Sequence, residues 1–307
     1  MKGLVVKNTG SWYQVLSIDN QTIECRIKGN LRLKNIRTTN PIAVGDTVQY
    51  QLNEDGTGVI SSIDERRNYI IRRSSNLSKE GHILAANIDL VVLVATINYP
   101  VTSLVFIDRF LASAEAYNIS ACIIFNKKDL YHAEELRYLE AVKGLYTSLG
   151  YPVFCISALI DTDVQPICEF LKNKTSLFSG NSGVGKSTLI NVIAPHSLAK
   201  TGKISDYHHK GMHTTTFSEM FQLNAGGSII DTPGIKGFGV VDMEAAEIGH
   251  YFIDIFKKSK ECKFSNCKHV NEPGCAVIYA VENQIISQSR YQSYLSILND
   301  CSQGKYR

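Results

Sequence analysis

Four short stretches of this chain carry residue types that do chemistry at close spacing. In GNSGVGKS, residues 180–187, the glycines Gly180, Gly183 and Gly185 let the backbone curl so that successive N–H groups point inward. A polyphosphate would rest there, on the N-terminus of the next helix. Asn181, Ser182 and Val184 complete the curl, Lys186 reaches the β and γ phosphates, and the Ser187 hydroxyl is placed to ligate Mg²⁺, with Thr188 following on the same helix. DTPG, residues 231–234, ends the apolar run SIID and begins 51 residues after Gly180. Asp231 is positioned for the magnesium shell and the Gly234 N–H for the γ phosphate. NKKD, residues 126–129, reads a base. Asp129 can accept from the N1–H and N2 amino groups of guanine, donors that adenine lacks, while Asn126 bonds the base edge and Lys127 lies along it. The fourth stretch, CKFSNCKHVNEPGC, spaces Cys262, Cys267, His269 and Cys275 as C-x4-C-x-H-x5-C. Three thiolates and an imidazole suit one tetrahedral Zn²⁺, and with no position left for water the ion is structural.

The order of these stretches is unusual, because the base reader precedes the phosphate loop. Nucleotide binding depends on which strand ends adjoin in space, so the chain can begin at another point of the same sheet. The expected architecture is a circularly permuted α/β P-loop GTPase domain. CISAL at residues 155–159 ends another strand, and the backbone at Ser157 and Ala158 resembles the loop that contacts guanine O6 in GTPases. Between phosphate loop and DTPG lies the polar stretch SDYHHKGMHTTTF, where one of Thr214, Thr215 or Thr216 is expected to complete the metal shell, Thr215 before the other two.

Strands and helices must position these groups. From about Ile88 the pattern alternates: IDLVVLVAT, ACIIF, PVFCIS, SLFSG, FSEMFQL and SIID read as six strands of a mostly parallel sheet, with helices between them. Every motif falls at a strand's carboxyl end, where such sheets bind ligands. The first 70 residues read instead as about five short strands punctuated by Gly, Asn and Asp, the number in an OB-fold β-barrel. After residue 240, AAEIGHYFIDIF reads as a helix with Ala245, Ile248, Phe252, Ile255 and Phe256 on one face, followed by two more helices around the metal ligands. The expected domains are residues 1–70, 71–240 and 241–307.

Charge adds a second surface. Residues 1–73 hold 11 Lys and Arg against 7 Asp and Glu, although the whole chain is only +3. Arg26, Lys28, Arg32, Lys34 and Arg37 follow one another without an acid, which makes this run either an RNA-binding strip or a solvated face. Trp12 and Tyr13 are candidate base-stacking residues or core. No run of 18 apolar residues exists, and the N-terminus has no apolar core for a secretory signal. The expectation is a cytoplasmic chain with no membrane partner and reduced cysteines.

The order NKKD, GNSGVGKS, HTTT, DTPG, between a β-barrel and a metal module, resembles the family of ribosome small subunit-dependent GTPase A over nearly the whole chain. The resemblance implies slow GTP hydrolysis stimulated by the small (30S) ribosomal subunit, a part in its late maturation, and contact with 16S rRNA through barrel and zinc domain. GTP and GDP are then the ligands and a monomer the expected state. One departure is Met212, at a position often basic in the family. Where Ras-like enzymes place a water-orienting Gln, this chain has Ile235. His213 is the nearest catalytic candidate, and a partner's charged group is the alternative. A guanine-nucleotide-gated RNA-binding protein whose hydrolysis is incidental is the competing reading; a P-loop kinase would leave NKKD unexplained.

Overall fold

Alternating burial closes the N-terminal strands into a barrel. In the computed structural model, β1 (Lys2–Asn8), β2 (Tyr13–Ser17), β3 (Thr22–Ile27), β4 (Thr47–Leu52) and β5 (Gly58–Ile63) pair in the order 1-2-3-5-4, and β4 returns to β1. This is the five-stranded OB arrangement. Its inward residues are Val5, Tyr13, Val15, Cys25, Val48, Tyr50 and Ile60, and burial pushes the Cys25 thiol up to about 11. Tyr13 is therefore core, which removes it as a stacking residue, whereas Trp12 is half-buried with the Arg26 guanidinium 3.8 Å above its ring. The structure describes residues 1–27, 41–73, 81–195, 218–231 and 243–302. Lys28, Arg32, Lys34 and Arg37 of the basic run lie outside the described residues.

The chain divides into two units, residues 1–92, 158–179 and 185–235 in the first and 93–157, 180–184 and 236–307 in the second. In the first unit, a hairpin missed in the sequence, β6 (Tyr69–Arg73) with β7 (Gly81–Ala86), adjoins the barrel through a bridge between Val44 and Ala85. Arg66 fastens this corner: its guanidinium donates to both carboxylate oxygens of the buried Asp46 at 2.6 Å and to the Pro41 carbonyl at 2.7 Å. Gly45 is obligatory there, since it has a φ of +93° and a Cβ would fall 2.1 Å from the Ala86 carbonyl oxygen.

Strand β8 (Leu90–Ala95) is buried at every position and runs from the first unit into the second. In the second unit α1 (Leu104–Ala116) starts at Ser103, whose hydroxyl accepts from the Phe106 N–H. It leads to β9 (Ser120–Phe125), α2 (Ala133–Ser148) and β10 (Val153–Cys155), with β10 parallel to β9. The first unit resumes with α3 (Asp161–Leu171), β11 (Thr175–Ser179), α4 (Lys186–Ile193), β12 (Glu219–Gln222) and β13 (Ser228–Asp231). Here β13 runs parallel to β11 and antiparallel to β12, and Glu219 of β12 pairs with Lys7 of β1, side chains 3.0 Å apart.

The C-terminal part of the second unit departs from expectation. AAEIGHYFIDIF is not one helix: a 3-10 turn, Ile248–Tyr251, stops at Phe252, which has extended backbone (φ −104°, ψ 101°), and α5 (Ile253–Ser259) starts anew. Ile248, Phe252 and Ile255 are still fully buried, but Phe256 is 39% exposed. Two helices follow, α6 (Ala276–Glu282) and α7 (Gln288–Ser302). Arg290 of α7 is 1% exposed; it donates to Asp108 of α1 at 2.7 Å and to Asp254 of α5 at 3.0 Å and lies over the Phe252 ring. Tyr146 of α2 donates to the same Asp108 oxygen at 2.8 Å. No helix among the described residues is long and apolar enough to cross a membrane.

Candidate functional site

In the second unit the NKKD loop and the first half of the GNSGVGKS stretch touch. Asn126 follows the last residue of β9, buried; its backbone N–H donates to the Ala95 carbonyl at the end of β8, and its side-chain amide donates to the Val184 carbonyl, both at 2.9 Å. Gly180 passes so close to β8 that a Cβ would lie 2.4 Å from the Val94 carbonyl oxygen, and Gly183 lies beside Pro100. Asn181 is half-exposed, Ser182 and Gly183 exposed and Val184 buried, so the polar part of the loop faces outward. Lys127 adopts a left-handed conformation (φ 64°, ψ 30°), and its ammonium donates to the Tyr99 carbonyl at 2.5 Å. Asp129 is exposed in the 3-10 turn Lys128–Leu130.

Other groups brace this loop. The Lys128 N–H donates to the Ile156 carbonyl at 3.0 Å, which sets residues 156–157 beside NKKD; Ser157 itself is buried. Asn98 donates to Glu135 at 2.8 Å and accepts from the Tyr99 N–H at 2.9 Å. Glu135 also accepts from the His132 N–H, and these bonds hold its carboxyl below the usual carboxylate range.

In the first unit the register of the parallel pair β11–β13, with Phe178 opposite Asp231, brings Asp231 to the strand end that leads to the phosphate loop. Lys186 and Asp231, read separately as phosphate and magnesium residues, form an ion pair. Ser187 and Thr188 lie exposed on the first turn of α4, while Leu189 and Ile190 bury its other side. Gly185, at φ 87°, accepts from the Leu189 N–H and opens the helix. Ala158 is buried. His213, Thr215, Gly234 and Ile235 lie outside the described residues.

Cys262, Cys267, His269 and Cys275 converge as their spacing requires. The donor atoms of Cys262, Cys267, His269 and Cys275 all lie within 4.8 Å of one another. Nδ1 of His269 is 3.4 Å from the Cys275 sulfur and 3.6 Å from the Cys262 sulfur, and those two sulfurs are 3.9 Å apart. Burial, together with the neighbouring sulfurs, pushes the Cys267 thiol up to about 12, so a cation among the sulfurs is what would favour thiolates. This cluster is held from outside as well. Tyr291 and Tyr294 of α7 donate to the carbonyls of His269 (2.7 Å) and Lys268 (2.6 Å). Burial opposes ionisation of Glu272, but the N–H groups of Lys268, Val270 and Asn271 outweigh it and hold the carboxyl at about 2.

Comparison with known proteins fits this arrangement. Residues 63–241 match the RsgA GTPase domain and residues 2–60 the RsgA N-terminal domain. The chain belongs to the RsgA GTPase family. It is 64% identical to small ribosomal subunit biogenesis GTPase RsgA 2 of Bacteroides thetaiotaomicron and 62% identical to small ribosomal subunit biogenesis GTPase RsgA of Phocaeicola vulgatus, in each case over 100% of this chain and 99% of the relative. Among solved structures it resembles YjeQ from Thermotoga maritima, with a TM-score of 0.78, 35% identity and 98% coverage of both chains. It also resembles YloQ, described as a circularly permuted GTPase, with a TM-score of 0.76, 32% identity and coverage of 100% and 96%. Within this family the early position of NKKD is the ordinary consequence of permutation. Two elements that bear on the site were absent from the sequence reading: Tyr131, which braces Asn126, and Arg290, which ties α7 to α1. A lone tyrosine and a lone arginine carry no spacing signal that could have found them.

Proposed function

We propose that this chain is a GTP-hydrolysing factor in late maturation of the small ribosomal subunit, slow alone and stimulated by the subunit whose 16S rRNA it binds. The names of its full-length relatives support the subunit, and the bond from Asn126 to Val184 supports the nucleotide, because it links base reader and phosphate loop as guanine recognition requires. It acts as a monomer in the cytoplasm, with a barrel at 1–70, a GTPase domain at 71–240 and a metal module at 241–307.

In this reading Asn126, Lys127 and Asp129 take the guanine, with Ser157 and Ala158 near its O6. Residues 180–188 take the phosphates, and Gly234 donates to the γ phosphate. Lys186 exchanges its partner Asp231 for phosphate oxygens, which leaves the Asp231 carboxylate available to the metal shell. Ser187, Thr215 and Asp231 would hold Mg²⁺, which when bound neutralises charge on the β and γ oxygens. His213, or a group supplied by the subunit, orients the attacking water where Ile235 cannot. Cys262, Cys267, His269 and Cys275 hold one zinc: zinc–sulfur distances of about 2.3 Å imply sulfur–sulfur edges of about 3.8 Å, close to the 3.9 Å between Cys262 and Cys275.

GTP turnover measured with and without purified small subunits tests the proposal. Stimulation of turnover, larger than any change in GTP affinity, is expected. Subunit binding that depends on GTP but leaves turnover unchanged would favour a nucleotide-gated RNA-binding protein instead. Replacing Arg32, Lys34 and Arg37 by Glu should weaken subunit binding at moderate salt without changing GTP affinity.

A further inference from the structure

Tyr131 lies outside every motif, yet its hydroxyl stands between two strand ends that carry the site. It is 7% exposed. The hydroxyl accepts from the Ile97 N–H at 2.9 Å and donates to the Asn126 carbonyl at 2.7 Å. Because a tyrosine hydroxyl has one proton, accepting from Ile97 leaves that proton for Asn126, and the direction of the second bond is fixed. Burial raises the phenol pKa further, so the group stays a donor.

The carbonyl it holds belongs to the peptide joining Asn126 to Lys127. Lys127 has a φ of 64°, a left-handed conformation that a lysine backbone disfavours. A half-turn of this peptide plane would return Lys127 to negative φ while hardly moving the flanking Cα atoms, so the backbone preference of Lys127 itself favours the flipped form. In that form the Lys127 N–H would replace the Asn126 carbonyl toward the Tyr131 hydroxyl, whose proton would then meet a donor. Two further bonds of Asn126, from its N–H to Ala95 and from its amide to Val184, fix groups on either side of this plane.

We propose that Tyr131 is a positioning residue for guanine recognition, its hydroxyl holding the Asn126–Lys127 peptide in the orientation from which Asn126, Lys127 and Asp129 address the base. The inference rests on the reading of residues 126–129 as the base reader. Loss of the hydroxyl therefore shortens the life of the guanine complex and weakens its discrimination against adenine, beyond any effect on folding.

The test uses the full chain carrying Tyr131→Phe, with fluorescently labelled GDP and ADP. GDP should dissociate about tenfold faster, the expected scale for stranding a buried donor and acceptor, while its association rate changes little and the preference for GDP over ADP narrows. Tyr151→Phe is the control. It removes another buried hydroxyl of the same unit, bonded to Glu115 at 3.0 Å, and should leave both nucleotide measurements unchanged. Parental GDP dissociation in Tyr131→Phe, or an equal change in Tyr151→Phe, overturns the proposal. So does rapid hydrogen exchange of the Ile97 amide in the GDP-bound parent, a measurement that does not depend on the variant folding. A parent that binds ADP as well as GDP would instead overturn the base-reader assignment, and the role of Tyr131 with it.

Discussion

The side-chain amide of Asn126 donates to the carbonyl oxygen of Val184 at 2.9 Å, across 58 residues of sequence. One bond thereby makes the shape of residues 180–184 depend on the NKKD loop. Asn126→Asp would set a carboxylate against that carbonyl, replacing an attraction by a repulsion. GDP affinity should fall by about ten- to a hundredfold, the scale of one buried hydrogen bond lost with its donor. Titration with labelled GDP measures this, and affinity within twofold of the parent would mean that the bond is incidental.

Asp129 is exposed at the loop, and in the proposed reading its carboxylate accepts two donors from guanine. Asp129→Asn exchanges one acceptor for a donor that faces the N2 amino group. Preference should move from GTP toward xanthosine triphosphate, at about 1–3 kcal/mol for each unpaired group. Competition between the two nucleotides is the measurement; an unchanged preference for GTP would remove NKKD from the base site.

Arg290 is the buried cation between Asp108 and Asp254. Arg290→Leu would leave the Asp108 carboxylate without its cation in a site where burial already raises its pKa. Unfolding free energy should drop by about 3–5 kcal/mol. Adding Asp108→Asn removes the stranded charge and should restore part of that loss, which urea denaturation of the single and double variants would reveal.

Removal of the proposed zinc should loosen α5 to α7 more than the NKKD loop, because Cys262, Cys267, His269 and Cys275 lie between α5 and α6 while Asn126 is fixed by β8 and Val184. Metal analysis should give one zinc per chain. Chelation, or Cys262→Ser, should expose residues after about 241 to proteolysis and leave most GDP binding intact. Iron, no metal, or loss of GDP binding together with zinc would contradict it.

Gly45 has no room for a methyl group against the Ala86 carbonyl. Gly45→Ala should cost at least about 2 kcal/mol, from left-handed strain and displacement of the corner that Arg66 fastens. Unfolding measurements that show no loss would mean the corner yields freely.

The parts whose meaning is local are legible in the order of residues alone. A glycine-rich loop needs glycines whatever surrounds it, metal ligands must fall within reach of one ion, and the fully apolar run at Leu90–Ala95 has no other place than a buried strand. The barrel strands were legible for a related reason, since period-two alternation reports which face is buried. Tertiary structure decided what pattern cannot encode. Trp12 and Tyr13 are adjacent aromatics, and only strand register sends Tyr13 into the core and leaves Trp12 under Arg26. Ile248, Phe252 and Ile255 keep helical spacing and full burial although the helix breaks at Phe252, because spacing records burial and not the hydrogen bonds between buried positions. The pairings of Lys186 with Asp231, Arg290 with Asp108 and Tyr131 with Asn126 likewise depend on which strand ends and helix faces meet, and single polar residues carry no period from which that meeting could be read.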